Sequence, residues 1–326
     1  MERVVPIGGY FELELPAGEE YHKTGMRFNL GRSCLEFLLR SEPPDTIYLP
    51  YYTCSAILES VKKLGLRRKF YSLNKDLEIE LSEPISANSR ILYTNYFGLK
   101  SRYIEQIASG YKGALIVDNA QAFYSVPVDG TDTFYSCRKF FGVPDGAYLY
   151  SDRVKLEDYY SLEVDTSIER MDYLLRRHEF GAREGYDSFR KVERSFYTVG
   201  IRRMSKLTER LVRSVRYAEL ADIRKRNYRR LHDTLGSINQ LQLPLDNAEV
   251  PLAYPFLPER PGLRDHLIEN NIFVPLYWDN VLENTAEDQW EYCLTSRLCA
   301  LPIDQRLNTE DVNRIIDVVK TFLNGK

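Results

Sequence analysis

Three short stretches of this chain hold residue types that could do chemistry together. Gly31-Arg32-Ser33 precedes an apolar-periodic segment, Asp118-Asn119-Ala120-Gln121 follows the apolar run Ala114-Leu115-Ile116-Val117, and Ser136-Cys137-Arg138-Lys139 follows Thr133-Phe134-Tyr135. Each is ordinary by itself. A glycine before a helix makes a turn, an aspartate after a buried strand caps it, and a lysine beside an arginine is solvated. In combination they meet the demands of one cofactor, pyridoxal phosphate. Its aldehyde needs a lysine amine, which Lys139 offers. Its pyridine nitrogen needs a carboxylate to stay protonated, which Asp118 can supply. Its phosphate needs N–H groups at a helix start with a hydroxyl beside them, which Ser33 and Ser136 fit. Arg138, if close and desolvated, would disfavour the protonated form of the lysine.

These residues must be held by strands alternating with helices. Residues 46–50, 67–72, 90–94, 114–118, 133–136 and 146–151 read as strands. Residues 28–41 read as a loop entering a helix, 53–64 as a helix capped by Thr53 and closed by Gly65, and 101–109 as a third helix. The pattern predicts an α/β domain with a mostly parallel sheet. Ligands of such sheets bind at the carboxyl ends of the strands, where Asp118 falls. Residues 155–200 are charged, tyrosine-rich and without clear period. From Met204 to Leu235 apolar residues recur at three-four spacing, and Gly236 can end the run, so one long helix over about 203–236, straight or bent, is expected. Beyond it, 252–256, 271–278 and 298–303 read as strands, 262–270 and 309–323 as helices, the last capped by Thr309. The reading is therefore a large α/β domain over 1–238 and a small α+β domain over 239–326.

Composition excludes several classes. With 44 Lys+Arg against 47 Asp+Glu the formal charge is −3, so no global basic balance marks a nucleic-acid or membrane-surface protein. Residues 201–230 do hold eleven basic against three acidic residues, which reads as the solvated face of a long helix rather than a nucleic-acid site. No apolar run spans a membrane, and the N-terminal stretch MERVVPIGGYFELEL lacks the apolar core of a signal peptide. The five cysteines form no CxxC pair and the four histidines no ligand spacing, so neither a metal site nor a disulfide framework is expected, and a cytoplasmic protein is. Trp278, in PLYWDN, reads as a packing residue.

Six segments also carry a resemblance. LGRSCLEFLL (30–39) is similar to a glycine-led phosphate loop and helix, and IYLPYYTCSAILESVKKLG (47–65) to a P-x-x-T segment with its helix. LIVDNAQAFYS (115–125) is similar to a D-x-A-Q-A signature, the most specific of the six, and YSCRKFFGVPDGAYLYSD (135–152) to a lysine segment. IRRMSKLTERL (201–211) is similar to an N-x-R-M-S stretch, and LCALPIDQRLNTEDVNRIIDVVK (298–320) to a closing L-P-x-x-x-x-L-T-x-x-D-V segment. Together they resemble the fold-type I pyridoxal-phosphate aminotransferases, in particular the DegT/DnrJ/EryC1/StrS group that aminates keto-sugars.

The resemblance implies a fold-type I pyridoxal-phosphate transferase, with a mostly parallel-sheet large domain and a small C-terminal α+β domain. It implies Lys139 as the Schiff-base lysine and proton shuttle, Asp118 at the pyridinium nitrogen, and Gln121 at the ring hydroxyl. It places Arg32 and Ser33 at the phosphate through backbone N–H groups, with the Ser136 hydroxyl beside them. Arg203 falls near the active site of a partner subunit, in a homodimer with sites at the interface. Two positions depart from the pattern. Cys54 stands where the group carries an aromatic on the cofactor, which leaves Tyr52 as a candidate for stacking, and Ile201 replaces an asparagine. The expected activity is transfer of an amino group from an amino acid, glutamate first, to a keto acceptor such as a nucleotide-linked keto-sugar. Elimination or racemisation on the same cofactor, or binding without turnover, are the alternatives.

Overall fold

The structure of the protein, a computed structural model, describes residues 7–325; residues 1–6, where the stretch weighed above as a signal peptide begins, and residue 326 lie outside it. The strands are β1 (Met26–Phe28), β2 (Thr46–Pro50), β3 (Arg68–Leu73), β4 (Ile79–Glu80), β5 (Ser89–Thr94), β6 (Leu115–Asn119), β7 (Asp132–Ser136), β8 (Ala147–Tyr150), β9 (Tyr254–Phe256) and β10 (Cys299–Leu301). The helices are α1 (Gly31–Ser41), α2 (Ser55–Lys63), α3 (Ser101–Ala108), α4 (Leu156–Tyr160), α5 (Asp172–Phe180), α6 (Tyr186–Ser195), α7 (Lys206–Arg213), α8 (Tyr217–Leu235), α9 (Leu263–Glu269), α10 (Asp279–Asn284), α11 (Trp290–Arg297) and α12 (Thr309–Asn324).

Eight strands form one sheet in the order β1-β8-β7-β6-β5-β2-β3-β4. The stretch β3-β2-β5-β6-β7 is parallel, while β8, β1 and β4 join antiparallel. Strand order reverses between β2 and β5: the chain leaves β2 toward β3 and returns to build β5, β6 and β7 on the other side. Ligand crevices of open α/β sheets lie at such a reversal, outside the carboxyl ends of the strands.

Both faces of the sheet are covered, which is why its strands read as continuous apolar runs rather than alternating ones. On one face Leu35 and Leu38 of α1 and Ile57 and Val61 of α2 pack on Ile47, Leu49, Leu92, Ile116 and Phe134. On the other, Tyr48, Ile91, Tyr93, Leu115 and Val117 join Ile104 of α3 and, without a break, Tyr254, Leu294 and Val319 of the C-terminal segment. Side chains alternate along a strand, so Asp118, two residues after Ile116, emerges on the α1/α2 face.

Four expectations from sequence are corrected. The run expected as a helix over about 203–236 is two helices, α7 and α8. Ser205 caps α7 by accepting from the Thr208 N–H at 3.1 Å, and the non-helical backbone of Arg216 separates α7 from α8. Residues 271–278 form no strand; β9 pairs directly with β10, and Pro275 withholds a ladder donor from the segment. Thr53 does not cap α2, whose N-cap is Cys54 without a side-chain bond. At α12 the cap is Asn308, one residue before Thr309, in a reciprocal capping box with Asp311 at 2.9 and 3.0 Å.

Candidate active site

The three chemistry-bearing stretches meet at the carboxyl ends of β6 and β7, opposite the start of α1. Leu30 is the N-cap of α1, and its carbonyl accepts from the N–H groups of Ser33 (3.0 Å) and Cys34 (3.2 Å). The N–H groups of Gly31 and Arg32 have no intrahelical acceptor, as at any helix start. An ideal Cβ on Gly31 would sit 4.0 Å from Ser136 Cβ, so the helix start faces the hydroxyl-bearing residue that ends β7. The Arg32 side chain turns elsewhere, with its guanidinium 4.8 Å from the Tyr197 ring centroid and 3.7 Å from Glu59. Its contribution here is therefore a backbone N–H and a positive field that reaches Cys54. Ser33 is buried.

Lys139 ends a single 3₁₀ turn, Cys137–Lys139, that follows β7 directly. The turn is wound on the Cys137 carbonyl, which accepts from Phe140 (3.0 Å) and Phe141 (2.9 Å), and the Cys137 N–H bonds Gly146 O at 3.0 Å. Gly146 has φ +114°, and a Cβ there would come within 2.9 Å of Thr208, so only glycine lets the return chain approach. The Lys139 side chain is exposed to the site. Its ammonium lies 5.7 Å from the centroid of the Tyr277 ring, and its field reaches Asp118, Cys54 and Tyr277. Arg138 points away, ion-paired with Glu193 of α6 and stacked 4.3 Å from the Phe196 ring. Glu193 offsets the charge that was expected to act on the lysine.

Asp118 is 5% exposed and accepts from the Ala120 N–H at 2.8 Å. Burial pushes its carboxyl up to about 6, against the opposing pull of that N–H and of Lys139. A carboxylate in this state gains from any cation or acidic N–H that docks on it. Thr94, paired in register with Asp118 across β5 and β6, is buried beside it, and its hydroxyl adds to the pull that lowers the carboxyl. Gln121 is fixed from one side: its Oε1 accepts from the Phe97 N–H at 2.8 Å, and its buried Nε2 has no partner. A donor left over in this way suits an oxygen of a bound ring. Gly98, next to Phe97, has φ +74°, and a Cβ there would press on Gln121 O at 3.0 Å.

Cys54 opens α2 and is half-buried; burial raises its thiol, so it stands as a neutral, small wall residue. Tyr52 is fully buried in the sheet core, its carbonyl accepting from the Tyr96 hydroxyl at 2.8 Å and its ring 5.0 Å from that of Trp278. It packs beneath the site and brings no ring to Lys139. The aromatic that does so is Tyr277, which the sequence did not single out. The Tyr277 carbonyl is held by the Thr295 hydroxyl at 3.0 Å. Asn280 of α10 reaches across to the Thr53 carbonyl at 3.0 Å, tying this segment to the loop that carries Cys54. Phe97, Thr94 and Tyr277 had no separate signal in the sequence, because each reaches the site through a long-range contact.

Arg203 lies elsewhere. Its backbone bridges Phe28 and Val164, and its guanidinium donates to Leu162 O at 3.0 Å, at the β1 edge of the sheet. It makes no bond to Asp118 or Lys139 among the described residues.

The residues fit pyridoxal phosphate on this chain's own geometry. A helix start with free N–H groups faces Ser136, a buried carboxyl with a raised pKa has no ion-pair partner among the described residues, and Gln121, three residues on, carries an amide donor without a partner there. An exposed lysine amine completes the set.

No family model matches this chain, and no curated protein matches it. Solved structures do. A DegT DnrJ EryC1 StrS aminotransferase from Brucella abortus gives a TM-score of 0.62 at 18% identity, over 92% of this chain and 86% of that one. A protein described as a sugar aminotransferase from Streptococcus pneumoniae, in its PMP form, gives 0.65 at 15% identity, over 91% and 86%. DesV from S. venezuelae, in complex with a ketimine intermediate, gives 0.62 at 17% identity, over 93% and 85%. The chain has the fold of these aminotransferases, as the sequence led one to expect.

Proposed function

We propose that this chain is a pyridoxal-phosphate-dependent aminotransferase, moving an amino group from an amino acid, glutamate first, to a keto acceptor of the nucleotide-linked keto-sugar class. The observation that carries this reading is the convergence of Asp118, Lys139 and the α1 start at one crevice, with Gln121 Nε2 left free beside them. When bound, the cofactor supplies an electron sink for negative charge at the carbon that bears the amino group.

The protein's part is binding, orientation and proton handling. The Gly31 and Arg32 N–H groups and the Ser136 hydroxyl hold the phosphate end, where the helix dipole favours an anion. Asp118 holds a proton on the ring nitrogen, which relieves the cost of its own burial. Gln121 Nε2 donates to the ring oxygen. Lys139 Nζ provides the amine and then carries a proton between carbon atoms on its side of the ring. Tyr277 and Cys54 wall the space around Nζ and limit water there. Two copies pair as a homodimer, so that Arg203, unused by its own site, serves the site of the second copy. The unpaired state of all five cysteines suits the cytoplasm.

The test is a spectrum of the purified protein with added pyridoxal phosphate, before and after borohydride, followed by mass mapping of the adduct. The expected result is reduction onto Lys139, and loss of the lysine-linked absorbance when glutamate is added, with 2-oxoglutarate formed. An adduct that no amino acid discharges would favour binding without turnover. Elimination or racemisation products would move the chain to another reaction class. A folded protein with no adduct would overturn the reading.

A further inference from the structure

Arg224 of α8 is 2% exposed, and no carboxylate pairs with it among the described residues. Its Nη1 donates to Leu252 O at 3.0 Å and Pro251 O at 3.4 Å, and its Nη2 to Phe140 O at 3.4 Å. The guanidinium also stacks 4.7 Å from the Phe140 ring centroid. Asp304, whose field reaches Arg224, is occupied at both oxygens by Arg306, at 2.7 and 2.8 Å. A buried guanidinium held only by carbonyls is an expensive way to fill space, since an apolar side chain would avoid the desolvation. What it adds is direction: a planar fork of donors that can grip separate segments at once.

The gripped segments are the two sides of the candidate site. Phe140 follows Lys139, and its carbonyl accepts a second donor, Gln305 Nε2, at 2.9 Å. On the other side, the Leu252 N–H donates to Phe97 O at 2.8 Å, and the Phe97 N–H donates to Gln121 Oε1 at 2.8 Å. A continuous path therefore runs from the lysine turn through Arg224, Leu252 and Phe97 to the amide beside Asp118.

We propose that Arg224, aided by Gln305, is a positioning residue that fixes the turn carrying Lys139 against the segment that orients Gln121. It keeps the lysine amine and the ring-facing donor at one separation. The inference rests on the cofactor reading above, and it assigns to a residue outside the crevice the task of holding the crevice's two walls in register.

Arg224→Lys keeps the charge and loses the fork, Arg224→Met loses both, and Gln305→Ala removes the second donor on Phe140. Each is compared with the wild type by hydrogen–deuterium exchange of the cofactor-free protein, by titration with pyridoxal phosphate, and by melting temperature. Faster exchange is expected at 137–141 in all three, and at 95–98 in the two Arg224 variants. Cofactor affinity should fall about tenfold in Arg224→Lys and about threefold in Gln305→Ala, the scale of one or part of one hydrogen bond. Lower melting temperature with unchanged affinity and no local exchange at these segments would make Arg224 merely structural and overturn the proposal. If Arg224→Met does not fold, the other two variants decide. A wild type that takes no pyridoxal phosphate overturns the functional reading and this inference together. A wild type that takes it, with Gln305→Ala and Arg224→Lys binding equally well, overturns this inference alone.

Discussion

Two buried titratable residues lie on neighbouring strands' territory and are treated in opposite ways. His22 sits in a box of aromatic rings, 4.0 Å from Tyr135, 4.7 Å from Phe123 and 5.0 Å from Tyr148 by ring centroids. Both of its nitrogens are used: Nε2 donates to Phe123 O at 2.7 Å, and Nδ1 accepts from the Tyr150 hydroxyl at 3.2 Å. Asp118 is as deeply buried, yet Gln121 Nε2, three residues on, has no partner among the described residues. Buried polar atoms are normally satisfied within the fold. Where the fold completes its own bonds, as around His22, the residue is structural. Where it stops short, as at Gln121 Nε2, the free donor is available to a bound ligand.

The largest effect should come from the residue that the fold needs least. Lys139→Ala is expected to abolish the covalent adduct and cut amino transfer by at least ~10³-fold, while the exposed side chain leaves the melting temperature of the cofactor-free protein nearly unchanged. Comparable turnover in the variant would erase the contrast. His22→Leu should do the reverse. It strands the Phe123 carbonyl and the Tyr150 hydroxyl, and should cost ~2–4 kcal/mol of stability with cofactor affinity intact. A stable variant that binds poorly would place His22 in the site.

Acidity separates the two residues with opposite signs. The Asp118 carboxyl is raised by burial from 3.8 to about 6. Its stabilising contribution is thus full below about pH 4 and is lost as pH rises through about 6, a change of up to ~3 kcal/mol. The His22 imidazole is pushed down by burial from 6.5 to about 4. Its contribution is present above about pH 6.5 and is lost as pH falls through about 4, again by up to ~3 kcal/mol. The two limbs oppose each other over nearly the same range, so urea midpoints of the cofactor-free wild type should change little between about pH 4 and 6. Asp118→Asn should uncover the His22 limb, with midpoints that rise with pH, and His22→Gln the Asp118 limb, with midpoints that fall; the reverse pattern would refute the assignment. The smallest effect sharpens the contrast at one atom. Gln121→Glu keeps an acceptor for Phe97 but replaces the free donor, and should weaken pyridoxal phosphate binding by about tenfold, measured by titration.

Much of this arrangement was legible in the sequence. Local signals found the parallel strands because each is a short apolar run between turn residues, and Thr46–Pro50 matches its expected bounds to the residue. Asp118, Gln121, Ser136 and Lys139 stood out because they follow such runs directly. The failures have physical reasons. The helices α4, α5 and α6 present much exposed surface, with Leu175 at 61% and Phe180 at 62%, so no clean apolar stripe announces them. Caps slipped by one residue at Cys54 and Asn308 because several neighbouring side chains could each have served. Tyr277 was hidden because its approach to Lys139 depends on how the C-terminal segment docks, and 138 positions separate the two in sequence.

That docking shapes how the chain can be divided. The C-terminal segment packs on the sheet through Tyr254, Leu294 and Val319 among others, within the same apolar cluster as Tyr48, Tyr93 and Val117. The Leu73 N–H is even completed by Glu291 of α11, at 2.7 Å. The C-terminal part is therefore not a cassette. Grafted onto another large domain, it would need the matching sheet face carried over with it, and expressed by itself it would display to water the surface that β2, β5 and β6 now cover.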